Sequence, residues 1–107
     1  MQERIATLID RLHAKTKARA LAWERNPEGN FQTSFPDYTV ELSEDDDLNF
    51  WIQIYNEEGE KVEAVSDTGL RRLGMSSTKL LELHDMARRM ALGSDEAIEK
   101  LIAALEE

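Results

Sequence analysis

The sequence predicts an α+β fold: an antiparallel β-meander of four to five strands, preceded by one N-terminal helix and followed by two C-terminal helices. Three observations support this prediction. Apolar residues recur at helical spacing near both ends of the chain and at every second position in its middle. Glycine, proline and asparagine clusters divide the middle into short segments. The length of 107 residues is typical of a single domain.

The first predicted helix covers residues 2–19. Ile5, Leu8, Ile9 and Leu12 follow the i, i+3, i+4, i+7 spacing of one apolar stripe, and the segment contains neither glycine nor proline. Its late basic residues suit the negative end of a helix dipole.

The predicted sheet covers residues 21–66. Alternation of apolar and polar residues is strongest in residues 48–55, where Phe50, Ile52 and Ile54 share one face. Residues 56–59 form a four-residue hairpin connection that ends in glycine. Residues 60–66 then return as the partner strand, with Val62 and Ala64 on one side.

After the sheet we expect a linker at residues 67–77, holding at most one short turn, and then helices at 78–92 and 95–106. Gly93 ends the first of these helices and Ser94 caps the second. Residues 98, 101, 102 and 105 give the last helix an apolar stripe. We expect all three helices to cover one face of the sheet and to leave the other face to solvent or a partner.

Composition restricts the classes of function. The chain has no cysteine, which excludes disulfides, thiolate nucleophiles and cysteine-based zinc sites. No signal peptide or membrane-length apolar stretch is evident, so we expect a soluble cytoplasmic protein without a membrane partner. The net charge of −9 opposes binding to nucleic acid.

The negative charge is concentrated in the predicted sheet. Residues 21–66 hold twelve acidic and two basic side chains, a net charge of −10. Residues 1–20 hold two acidic and five basic ones, a net charge of +3, and residues 67–107 carry −2. A basic surface would therefore be attracted to the sheet.

No catalytic, metal-binding or cofactor-binding residue is predicted. His13 and His84 are interpreted as surface or boundary residues. Adjacent residues on a helix point about 100° apart, so His84 and Asp85 do not form a hydrogen-bonded dyad by sequence alone. The acidic run at 44–47 fails as a calcium loop, because Phe50 stands where glycine is required and Asn56 where glutamate is required. A solvated acidic hairpin loop is the simpler interpretation.

The candidate contact surface is the outer face of the sheet. If Phe50 and its alternate neighbours face the core, an aromatic pair with polar neighbours faces outward, as at the centre of many interfaces. A terminal helix could instead cover this face, or the aromatic residues could only stabilise the sheet. The predicted interaction residues are Trp51, Gln53, Tyr55, Thr39, Glu41, Lys61 and Glu63.

Several segments resemble a group of short uncharacterised bacterial proteins. The chain has L-A-W-E at 21–24, F-P-D-Y-T-V-E-L at 35–42, I-Q-I-Y-N-E-E-G at 52–59 and A-R-R-M-A-L-G at 87–93. The group has a W-E strand, an N-Y-x-V-x-I-like strand and an I-x-N-x-x-G hairpin; here Asp37 replaces the asparagine. The group has no established activity, so the resemblance implies no functional residue.

We therefore expect a non-enzymatic protein-interaction module of a bacterial cytoplasm. A narrower alternative is an antitoxin or immunity-like protein that neutralises a basic partner. A third alternative is a small-ligand binder or enzyme that uses His84 or the acidic loop. Self-association as a homodimer is also open, because the first and last helices carry similar stripes that could pair between chains.

Overall fold

The structure, a computed structural model, describes residues 2–106 and has the predicted α+β fold. Its helices and strands follow one another along the chain in this order: α1 Gln2–Lys17, β1 Glu24–Arg25, β2 Phe31–Ser34, β3 Tyr38–Glu44, β4 Phe50–Asn56, β5 Lys61–Ser66, α2 Asp67–Arg72, α3 Thr78–Leu92 and α4 Ser94–Leu105.

The five strands form one antiparallel meander in which each strand pairs with the next. In the central pair, Val40 lies opposite Ile54 and Leu42 lies opposite Ile52. Directly opposed residues share a face, so these four side chains define the core face of the sheet. The alternate residues of β3 and β4 consequently lie on the outer face.

The core lies between this face and two helices. α3 contacts β1, β2 and β4, and α1 packs on α3. Leu42, Leu80 and Leu83 are fully buried, and Ile9 and Leu12 bring the predicted stripe of α1 into the same cluster. The stripe of α1 is thus used within its own chain.

α1 ends two residues before the predicted boundary because its last turn closes in a left-handed cap. The Arg19 amide donates to the carbonyl of Thr16, the Ala20 amide donates to that of Lys15, and Arg19 has φ of 59°. The indole Nε1–H of buried Trp23 then donates to Thr16 Oγ1 at 2.9 Å, which holds the chain against the helix. This bond fixes the route from α1 into β1.

The prediction that residues 67–77 form a linker is wrong in its first half, which is helix α2. Ser66 is the N-cap, and its Oγ accepts from the Gly69 amide at 3.0 Å. Asp67 Oδ1 also accepts from the Phe50 amide at 2.9 Å, so the first turn is bonded to β4. The glycine at position 69, which indicated a loop, lies inside this short helix.

The predicted faces of β5 are wrong as well, because the register between β4 and β5 shifts at Ile54 and Tyr55. Ala64 lies opposite Gln53 on the outer face, whereas Glu63 lies opposite Ile54 on the core side. Because of the shift, Val62 has no partner residue in β4, and its side chain is half exposed. One extra residue in a strand reverses the faces of the residues beyond it, and sequence alternation does not show where it lies.

The expectation that all three predicted helices cover the sheet fails for α4. None of its residues is buried, and α3 is the element that it contacts. Its apolar stripe therefore faces solvent in the monomer. Among the described residues, no helix has the length and hydropathy required to cross a membrane.

Candidate functional site

The outer face of β3 and β4 carries the candidate site. Thr39 lies opposite Tyr55, Glu41 opposite Gln53, and Ser43 opposite Trp51. These side chains project away from α1 and α3, because their neighbours along each strand form the core. The face is therefore polar with two aromatic residues, as the alternation in the sequence predicted.

A shallow cavity of about 720 Å³ lies over one half of this face. Its lining comes from residues 28–59 alone, so strands and their connecting loops form it without any helix. Phe35 and Tyr38 stand at its side and are 40% and 51% exposed. The charged lining residues are all acidic: Glu28, Asp37, Glu41 and Glu57.

Glu41 is the buried acid of this cavity, with only 8% of its surface exposed. Its Oε2 accepts from Asn26 Nδ2 at 2.6 Å and from Asn30 Nδ2 at 3.3 Å, and its Oε1 lies 3.2 Å from the Tyr55 hydroxyl. Every one of these donors is neutral. Within residues 2–106, no lysine, arginine or histidine forms an ion pair with Glu41.

Tyr55 connects this carboxylate to the middle of the face. Its hydroxyl lies 2.8 Å from Gln53 Oε1 and 3.2 Å from Glu41 Oε1, and Gln53 Nε2 donates to Ser43 Oγ at 2.7 Å. Burial, followed by the charges of Glu41 and Glu28, raises the pKa of Tyr55. The hydroxyl thus stays protonated and shares its hydrogen between the two acceptors.

Trp51 lies on the same face but outside the cavity. Its indole Nε1–H donates to Asp45 Oδ2 at 2.9 Å, and Asp45 Oδ1 accepts from the amides of Asp47 and Asn49. The indole bond, together with those from Asn49 and Asp47, lowers the pKa of Asp45 although partial burial opposes this. The carboxylate of Asp45 therefore organises the acidic loop, which favours a structural role for this residue.

The structure unites four of the seven predicted interaction residues in the cavity: Thr39, Glu41, Gln53 and Tyr55. Lys61 is exposed opposite Tyr55, whereas Glu63 lies on the core side of the register and does not join the group. The predicted position of Glu63 on the outer face is wrong because of the register shift in β5, although its side chain is exposed. Sequence reasoning missed residues that complete the cavity, which include Asn30 and Phe35 in the loops and Tyr38 at the start of β3.

His84 is buried, so its predicted place at the surface or boundary is wrong. Its Nε2 lies 3.0 Å from the Trp51 carbonyl oxygen, and its ring packs edge-on against Phe50 with centroids 4.9 Å apart. Burial lowers the pKa of His84 to about 4, against smaller opposing effects of this hydrogen bond and of Asp67. The neutral ring must donate from Nε2, because a carbonyl oxygen only accepts.

A second cavity of about 470 Å³ lies beside His84, lined also by Phe31, Phe50 and Arg88. A neutral imidazole that already donates to the backbone favours a packing role for His84 over proton transfer. His13 lies elsewhere, with its Nε2 at 2.7 Å from Glu82 Oε1. In the part of the chain that the structure describes, no three histidine or acidic side chains are grouped as metal ligands.

Comparisons of the chain with protein-family models, with curated proteins and with solved structures found no match.

Proposed function

We propose that this chain is a non-enzymatic protein-interaction module of the bacterial cytoplasm that binds a basic segment of a partner protein on the outer face of its sheet. The observation that carries the proposal is the cavity whose buried carboxylate, Glu41, has neutral donors as its hydrogen-bond partners in the described chain. A cationic side chain from a partner would supply the missing charge.

The chemistry of the cavity suits a guanidinium or ammonium group. Such a group gains from a desolvated carboxylate more than from an exposed one, because water screens the attraction less inside a cavity. Phe35 and Tyr38 line the side of the cavity. A cation over the face of an aromatic ring adds about 0.5–1 kcal/mol at an exposed site. Repulsion between the four lining acids falls when a cation enters.

The distribution of charge also supports binding of a basic partner. The segment 21–66 carries −10, and Lys61 and Arg25 are its basic residues. A negative surface of this kind raises the association rate of basic partners and rejects acidic ones. Pre-set hydrogen bonds around Glu41 reduce the ordering cost of binding, because the carboxylate is held before the partner arrives.

The proposal is tested by titrating the ¹⁵N-labelled protein with a hexa-arginine peptide and following amide chemical shifts. We expect the largest changes at Thr39, Glu41, Gln53 and Tyr55, with saturation at low millimolar peptide or below. Changes spread evenly over the acidic residues, including the loop at 45–47, would show nonspecific charge attraction and contradict the proposal.

A length-matched acidic peptide supplies the control. Hexa-glutamate has the same length and the opposite charge, and we expect no saturable change with it. Equal shifts from both peptides at the cavity would also refute recognition of a cation.

A basic toxin is one partner of the required chemistry, which makes the antitoxin or immunity-like role the narrower form of this proposal. The same negative face that attracts the toxin would cover its basic surface. Co-expression of this chain with a basic toxin encoded beside it should restore growth, and the Glu41→Gln variant should restore it less. Equal growth with and without the chain would exclude this narrower role.

A further inference from the structure

The C-terminal helix α4 presents an apolar stripe that its own chain does not cover. Ile98, Leu101, Ile102 and Leu105 are 46%, 62%, 47% and 84% exposed. They follow the i, i+3, i+4, i+7 spacing of a narrow seam, the pattern by which two helices pair. The exposed fraction is greatest at Leu105, at the C-terminal end of the helix.

A helix of this length has little stability of its own. α4 has twelve residues, and isolated helices shorter than about 12–15 residues are marginal in water. Its first turn is held by Asp95, which pairs with Arg89 and with Arg19. Among the described residues, the apolar turns beyond it have only the exposed Glu96–Lys100 pair within α4 itself, and the core gains no burial from them.

The sides of the stripe differ in chemistry. On a helical projection, Asp95, Glu99 and Glu106 lie along one side, whereas Ala97 and Ala104 lie along the other. Small residues let two helices approach closely, and contact on the alanine side keeps the acidic sides of the two copies apart. The stripe is thus suited to pairing with an identical stripe.

We propose that two copies of this chain form a dimer by antiparallel pairing of their α4 helices about a two-fold axis. Each residue of the stripe then contacts a residue of the identical stripe on the other copy, as an isologous interface requires. Antiparallel pairing also places the positive dipole end of each helix beside the negative end of the other.

The area available matches what a dimer needs. Burying these four side chains and the adjacent alanines in both copies would remove on the order of 1,000 Å² from water, which is about the smallest area expected of a biological interface. The apolar stripe of α1 cannot serve the same purpose, because Ile9 and Leu12 are buried in their own chain. The cavity over Glu41 plays no part in this dimer, so the dimer does not rest on the proposed function.

Sedimentation equilibrium of the full chain tests the proposal. We expect a monomer–dimer equilibrium for the natural sequence and an increase of at least about 100-fold in the dissociation constant for Leu101→Glu, because each copy loses a buried leucine. Ala103→Glu makes the same change of charge on the far side of α4 and should leave the dissociation constant within about threefold.

Three outcomes would overturn the dimer. They are a monomer at every concentration up to about 0.5 mM, an unchanged dissociation constant in Leu101→Glu, and an equal increase of the dissociation constant in Leu101→Glu and Ala103→Glu. Arg11→Glu tests the rival arrangement in which α4 docks on the basic α1 of a second copy. Dissociation by that variant would overturn the pairing of α4 with α4. Thermal unfolding of Leu101→Glu should match the natural chain under monomeric conditions, because Leu101 is absent from the core.

Discussion

His84 shows how a residue with catalytic chemistry serves packing in this fold. Its ring lies between α3 and the sheet, donates to the Trp51 carbonyl and contacts Phe50. Burial favours the neutral ring, so the pKa of His84 falls from its ordinary 6.5 to about 4. The unfolded chain binds a proton at a pH where the folded chain does not.

Acidification should therefore destabilise the protein through this residue. The contribution of His84 is fully present above pH 6.5 and is lost progressively as pH falls from 6.5 to 4, by roughly 3 kcal/mol in total. Urea unfolding at several pH values measures it. We expect His84→Gln to flatten this part of the stability profile.

His13→Gln supplies the matched control, because it removes the other histidine and leaves the imidazole of His84 in place. The stability of His13→Gln should decrease as the pH is lowered, over the same range as in the natural chain. A profile for His84→Gln as steep as that of His13→Gln would contradict the buried, neutral state of His84.

At the scale of elements, α2 connects the end of the sheet to the helical layer. Asp67 is 6% exposed and accepts from the Phe50 amide and from Arg71 Nη1. Burial opposes ionisation of this carboxyl, but the bonds from Phe50, Arg71 and Thr68 outweigh it and lower its pKa. Arg71 also donates to Ser77 just before α3.

Replacing Asp67 should loosen this connection. Asp67→Ala leaves the Phe50 amide without its acceptor, and we expect a loss of about 2 kcal/mol in the free energy of unfolding, measured in urea. Asp67→Asn keeps one acceptor oxygen and should lose less. Asp85→Ala, which breaks only the exposed pair with Arg88, should cost less than about 0.5 kcal/mol. Equal losses for Asp67→Ala and Asp85→Ala would refute the anchoring role.

Much of the fold follows from periodicity in the sequence. The core face of β3 and β4 and the bounds of α3 at 78–92 were predictable, because alternation and helical spacing report directly on burial. α2 was not, since its six residues include a glycine and its cap bond depends on Ser66 meeting Gly69. Glu63 was predicted on the wrong face, because the position of a bulge cannot be recognised from the alternation of apolar and polar residues.

The site was predictable in part for the same reasons. Side chains alternate between the two faces of a strand, so the core residues of β3 and β4 also identify the outward residues. These include Glu41, Gln53 and Tyr55. Asn26 and Asn30 belong to the turn before β2, and their bonds to Glu41 cross from one strand connection to another strand. Such contacts depend on tertiary geometry that a turn signal alone does not contain.

At the scale of the whole molecule, the two proposed contact surfaces lie on different elements of the described chain. The sheet presents an acidic cavity on its outer face, and α4 presents an apolar stripe at the end of the chain. Basic α1 lies with α3 on the opposite side of the sheet from the cavity. The basic side chains of α1 are thus kept away from the surface proposed to attract a cation.

The most direct test of the account compares two charge-matched variants in calorimetric titration with the hexa-arginine peptide. Glu41→Gln removes the buried carboxylate, and Glu57→Gln removes an exposed acid that lines the same cavity. We expect the dissociation constant to rise at least about tenfold for Glu41→Gln, as the loss of a charged hydrogen bond implies, and less than about threefold for Glu57→Gln. An equal effect of the two variants would contradict recognition of a cation by Glu41.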